Sequence, residues 1–179
     1  MVSSVSFIAN TDEVGGAERY LLTLAPRLRD WTCRVYLSSD NVARVIGRNL
    51  EVGILPTNGF SIRPSAFLRA FRFYRGLDSD IVHFNLAHPC ASTSDIVAAH
   101  FTDRYKVVVT THLPTIAQTR RERWSAAVAL RFASKVIVVC ESARNYLVDS
   151  GVPETKVAVV HNGVEDWETT EAKLIELRR

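Results

Sequence analysis

Five short segments of the chain carry residues able to bind an anion or orient a hydroxyl group. Each follows a run of aliphatic or β-branched residues. The first is Asn10-Thr11-Asp12-Glu13-Val14-Gly15-Gly16-Ala17-Glu18. A Gly-Gly pair that opens a helix lets backbone amides approach a ligand, and the helix N-terminus favours negative charge. The second is Asn85-Leu86-Ala87-His88-Pro89. The third, Thr110-Thr111-His112-Leu113-Pro114, offers an imidazole that in its neutral form hydrogen-bonds a hydroxyl. Cys140-Glu141-Ser142 and His161-Asn162-Gly163-Val164-Glu165 complete the set. Singly these are ordinary: a Gly-Gly turn is usually only a turn, and a lone histidine at a strand end is more often a core or surface residue. They gain meaning only if the fold brings them to one edge.

The surrounding pattern provides such an edge. Short apolar runs predict strands at Val5–Ala9, Cys33–Leu37, Val52–Leu55, Ile81–Asn85, Val107–Thr111, Val136–Val139 and Val157–Val160. The near-continuous run at Val107–Thr111 suits burial on both faces. Helical spacing is read at Ala17–Leu28, Val42–Arg48, Pro64–Tyr74, Thr93–Phe101, Arg120–Phe132 and Ser142–Asp149. Pro26 should kink or tighten the last turn of the first helix. Gly151 and Pro153 stop the sixth, and Glu168–Arg179 could form another. Strands alternating with helices imply right-handed crossovers and a three-layer α/β, doubly wound, Rossmann-like domain. Its sheet is expected to be mostly parallel, with about seven strands. Ligands in such sheets bind beyond the carboxyl ends of the strands, where all five segments lie.

Composition fits one such domain. The 179 residues carry 22 basic and 19 acidic side chains, a net charge of +3, too balanced to imply nucleic acid. Only Lys106, Lys135, Lys156 and Lys173 among the basic residues are lysines. Arginine grips phosphate and carboxylate as a planar fork, so anionic ligands suit this composition, with genomic codon bias the alternative reading. Cys33, Cys90 and Cys140 are odd in number and lack CxxC spacing, which reads as thiols in a reducing compartment. The N-terminus has no basic, apolar signal pattern, and no stretch approaches the ~18 apolar residues of a spanning helix. A cytoplasmic protein is expected.

The ordered motifs Gly15-Gly16-Ala17-Glu18, Asp80-Ile81-Val82-His83-Phe84-Asn85, Val109-Thr110-Thr111-His112, Val138-Val139-Cys140-Glu141-Ser142 and Val159-Val160-His161-Asn162-Gly163-Val164-Glu165 are similar to those of a known family. The chain resembles the N-terminal, acceptor-binding domain of retaining, family 4-type glycosyltransferases with the GT-B fold. The resemblance runs from about Val5 to Glu165. It implies residues 1–165 as the N-terminal glycosyltransferase domain and 166–179 as the start of the linker or of the C-terminal half. It also implies hexosyl transfer from a nucleotide-diphosphate sugar to a hydroxyl acceptor, with retained configuration and no cofactor or obligatory metal. Alone, this half is expected to be inactive. The alternative is a stand-alone binding domain, or a subunit of a split enzyme completed by a separate C-terminal partner. By the same resemblance Gly15 and Gly16 face the donor phosphates and His112 is the catalytic candidate. Asn85, Glu141 and His112 are candidate acceptor contacts. Cys140 stands where the family pattern has serine.

Three other patterns in the sequence carry alternative readings. Asp78-Ser79-Asp80 spells a metal-binding Asp-x-Asp, but it precedes the fourth strand. At ~3.3 Å per residue it would lie roughly 16 Å from the carboxyl edge. His83, Asn85 and His88 lack the spacing of a zinc site. Asp40 follows the second strand as a ribose-binding acid would, yet Gly15-Gly16 is not Gly-x-Gly-x-x-Gly. Separately, Arg69, Arg72 and Arg75 share one side of their helix, with Phe67, Phe71 and Tyr74 on another. A core-packed helix with a solvated basic face is the favoured reading, and peripheral contact with an anionic membrane the alternative.

Overall fold

A computed structural model describes residues 3–11, 14–46, 50–56, 64–113 and 119–163. The helix expected at Glu168–Arg179, the linker at 166–179, Val164-Glu165 and the end of the second helix at Arg48 lie outside the described residues. Among the described residues, seven strands form one parallel sheet: β1 (Ser3–Ala9), β2 (Trp31–Leu37), β3 (Glu51–Ile54), β4 (Ile81–Leu86), β5 (Lys106–Thr111), β6 (Lys135–Val138) and β7 (Val157–Val159). Their order is β3-β2-β1-β4-β5-β6-β7. The chain winds outward from β1 to β3, then crosses back to β4 and winds the other way. The gap between β1 and β4 is therefore the topological switch point, the place where such sheets open a crevice for ligands.

Among the described residues, six helices follow the strands: α1 (Gly16–Leu24), α2 (Asp40–Ile46), α3 (Pro64–Arg75), α4 (Thr93–His100), α5 (Arg120–Arg131) and α6 (Glu141–Asp149). Side chains alternate across the pleat and divide the core in two. Val5, Phe7 and Ala9 pack with Leu21 of α1 and Val42 of α2. Ile8 and Phe84 pack instead with Tyr74, Ile96, Leu130 and Leu147, contributed by α3, α4, α5 and α6. The result is three layers. Phe7, Ile8 and Phe84 are fully buried, and each such side chain contributes about 1.5–3 kcal/mol.

Local rules set the helix ends. Pro26 lies in a tighter 3-10 turn, Ala25–Arg27, that closes α1. Gly151 ends α6 with a φ of 97°, its amide bonded to the Val148 carbonyl at 2.9 Å. That backbone region disfavours any residue with a Cβ. Gly151→Ala is expected to lower stability by about 1 kcal/mol, read as a lower urea midpoint with unchanged slope. An unchanged midpoint would show that the turn tolerates alanine.

The outward side of α3 presents Arg69, Arg72 and Arg75 to solvent, while Ala70 and Tyr74 are buried and Phe67 and Phe71 pack against the core. Among the described residues, no helix is long and apolar enough to cross a membrane.

Candidate active site

The site is built where β1, β4 and β5 end. The β4–β5 ladder continues past both strands: the His112 amide donates to the Leu86 carbonyl at 3.1 Å and the Leu113 amide to the Ala87 carbonyl at 2.8 Å. Main-chain bonds thus place His112 at the carboxyl edge. Its Nε2 lies 2.9 Å from Oδ1 of Asn85. Nδ2 of Asn85 donates to the Ala17 carbonyl at 2.9 Å, in the first turn of α1. Tyr20, one turn along α1, meets the imidazole edge-on with ring centroids 5.0 Å apart. Three elements separated widely in sequence therefore converge on one half-buried imidazole. Burial pushes His112 below its ordinary range and Tyr20 above its own, so both are neutral near pH 7.

A second histidine lies deeper. His83 Nε2 is 2.7 Å from Thr110 Oγ1, and its ring packs on Phe7 with centroids 5.1 Å apart. Burial first, and the neighbouring His112 second, push it down to about 4. The sequence placed His83 within the strand; its pairing with Thr110 across the β4–β5 ladder carried no sequence signal.

At the N-terminus of α1, the Gly15 carbonyl accepts the Arg19 amide at 3.2 Å, closing the first turn. The three amides inside that turn, those of Gly16, Ala17 and Glu18, have no intrahelical acceptor. The Gly15 amide is committed: it donates to Oε2 of Glu18 at 2.7 Å. Glu18 is itself 3% exposed, so a buried carboxylate already offsets part of the positive helix end. Of the two glycines expected to face a phosphate, Gly16 has no acceptor for its amide among the described residues, and a Cβ placed there would meet nothing within 4 Å. Glu18 was missed as a site residue, although an acid three places after a helix cap is a readable capping pattern. A cavity of about 390 Å³, within the range of small-molecule pockets, is lined by Gly16, Arg19, Tyr20, Thr23, Arg27 and Gly163.

The other candidates fall elsewhere. Glu141 is exposed at the first position of α6 and makes no hydrogen bond to Asn85 or His112. Cys140 caps that helix with Sγ 3.1 Å from Ser142 Oγ. The Ser142 hydroxyl, then the Ala143 amide, hold its thiol below the usual range. His161 Nδ1 lies 3.0 Å from the Val139 carbonyl and fixes the exit from β7. Asp80 sits at the opposite, amino edge, where Oδ2 accepts the Ser4 amide at 2.7 Å. Among the described residues, no group of three or more His, Cys, Asp or Glu side chains is placed to hold a metal ion.

A sequence profile of Glycosyltransferase Family 4 matches residues 14–167, most of the chain. The chain belongs to glycosyltransferase family 4. Solved structures agree with this family 4 domain in fold. The Anabaena protein HepE in complex with UDP superposes with a TM-score of 0.74 at 20% identity, over 98% of this chain and 49% of that one. A glycosyltransferase from Rickettsia africae gives 0.70 at 16% identity, over 98% and 48%. A UDP-N-acetylglucosamine 2-epimerase gives 0.66 at 15% identity, over 90% and 49%. Identities this low speak for the fold alone. The family 4 domain spans about half the length of these structures and corresponds to their N-terminal half. A search of curated protein sequences finds no match.

Proposed function

We propose that this domain forms the acceptor-facing wall of a retaining hexosyltransferase whose donor is a nucleotide-diphosphate sugar. The observation that carries the reading is the half-buried His112, tied through Asn85 to the first turn of α1 at the switch point of the sheet. A neutral imidazole there orients the attacking hydroxyl. The Gly16 and Ala17 amides meet charge developing on the diphosphate leaving group, with no cofactor or metal required for that role. HepE, which shares the fold, has been crystallised with UDP and with UDP-glucose, in keeping with a nucleotide-sugar donor. A C-terminal domain would close the cleft and read the nucleotide and sugar.

The phosphate role is tested by removing one donor. Gly16 is the first residue of α1 and Gly15 before it is extended, so proline fits at position 16 and takes away only the amide hydrogen. UDP titrated into the isotopically labelled chain is expected to shift the Gly16 and Ala17 amide resonances. Gly16→Pro should weaken binding about 10-fold, the worth of a hydrogen bond to a charged group, whereas Gly16→Ala should bind normally. Equal binding by the proline variant would remove the phosphate role from this turn.

A further inference from the structure

We infer that Asn85 is a positioning residue that holds His112 in one tautomer and ties it to the N-terminus of α1. The inference rests on the role proposed for His112 and adds the question of which ring nitrogen faces the substrate.

The assignment follows from what each partner can do. A backbone carbonyl only accepts, so the end of Asn85 that meets Ala17 at 2.9 Å is the NH2 group. The other end, 2.9 Å from His112 Nε2, is then the amide oxygen, which also only accepts. Nε2 must therefore carry the proton. In the neutral ring this leaves the lone pair on Nδ1, which has no hydrogen-bond partner among the described residues. Nδ1 is thus the nitrogen that can accept from a substrate hydroxyl. Asn85 is 2% exposed and each end of its amide already holds one partner, so the role inferred for it passes through His112.

The same side chain couples two functions. The Ala17 carbonyl belongs to the turn whose amides face the crevice, so a shift of α1 moves Asn85 and with it the imidazole. Tyr20 from α1 and His83 from β4 are the titratable groups that face His112 from the packed elements. Neither brings a charge at neutral pH, since the first is held up and the second down.

Long-range proton–nitrogen NMR on the labelled 179-residue chain reads the tautomer directly, with His112→Gln used to assign the resonance. The wild-type signal at pH 7 is expected to show a single neutral form protonated on Nε2. A ring protonated on Nδ1, or an averaged pair of nitrogens, would overturn the inference without any variant. In Asn85→Leu, which keeps the branched shape and removes both bonds, the signal should relax to a mixture of tautomers. In Asn85→Asp, the carboxylate beside the ring should raise the His112 titration midpoint by about 1–3 units. Folded variants that leave both tautomer and midpoint unchanged would also overturn it. None of these readouts depends on sugar transfer, so failure of the transferase reading would be seen separately.

Discussion

Replacing His112 by alanine in the complete enzyme is expected to lower kcat for sugar transfer about 100-fold, at the lower end of what a positioned proton-handling side chain contributes. Donor KM should change little, because the amides proposed to meet the phosphates belong to α1 and not to the imidazole. The argument rests on how the residue is held. Its backbone is fixed by the bonds of residues 112 and 113 to Leu86 and Ala87, so truncation leaves the main chain in place. The side chain is only half-buried, so the loss of packing is modest and the variant should fold. Transfer at the parental rate would remove His112 from the chemistry. A collapse of donor binding with kcat intact would move its role to the ground state.

The second large effect concerns stability. His83 is 8% exposed and titrates at about 4 in the folded chain, against an ordinary value near 6.5 when unfolded. Between those values the unfolded chain binds a proton that the folded chain refuses. Stability is therefore fully present above pH 6.5 and falls as the pH drops towards 4, by about 1.4 kcal/mol per unit and about 3 kcal/mol in all. Urea unfolding of the wild type and His83→Gln across pH 4 to 7 checks this, since glutamine keeps a partner for Thr110 and cannot titrate. Wild-type stability should fall steadily with acid relative to the variant, by about 3 kcal/mol over that range. Parallel curves would mean that His83 is solvated or already charged in the native chain.

Much of this site was legible in the residues, for definable reasons. Strand runs such as Val107–Thr111 are long and β-branched, and the 3.6 period of α1 places Leu21 and Leu24 unambiguously. Once the alternation was read, parallel topology put Gly16, Asn85 and His112 at one edge. Strand beginnings were read short at Ser3-Ser4 and Trp31-Thr32, because polar residues joined the ladder through pairing with each other: Ser3 faces Trp31 and Ser4 faces Thr32. The sheet order was not legible, since a period says which face a residue takes and not which strand lies beside it. The same limit hid the role of Asn85. An asparagine at a strand end looks like a solvent-facing contact until its partners are known, and they lie 68 and 27 residues away.

Those separations bear on how the chain folds. The bridge from Asn85 to Ala17 can form only after β1 has paired with β4, which closes a loop of nearly half the chain. Parallel, long-range pairings of this kind raise contact order and slow folding, because loop entropy is lost before contacts compensate. No local fragment, neither the β1–α1 unit nor the β4–β5 unit alone, can assemble the imidazole with its partners. The state of one ring nitrogen therefore reports whether the two windings of the sheet have met.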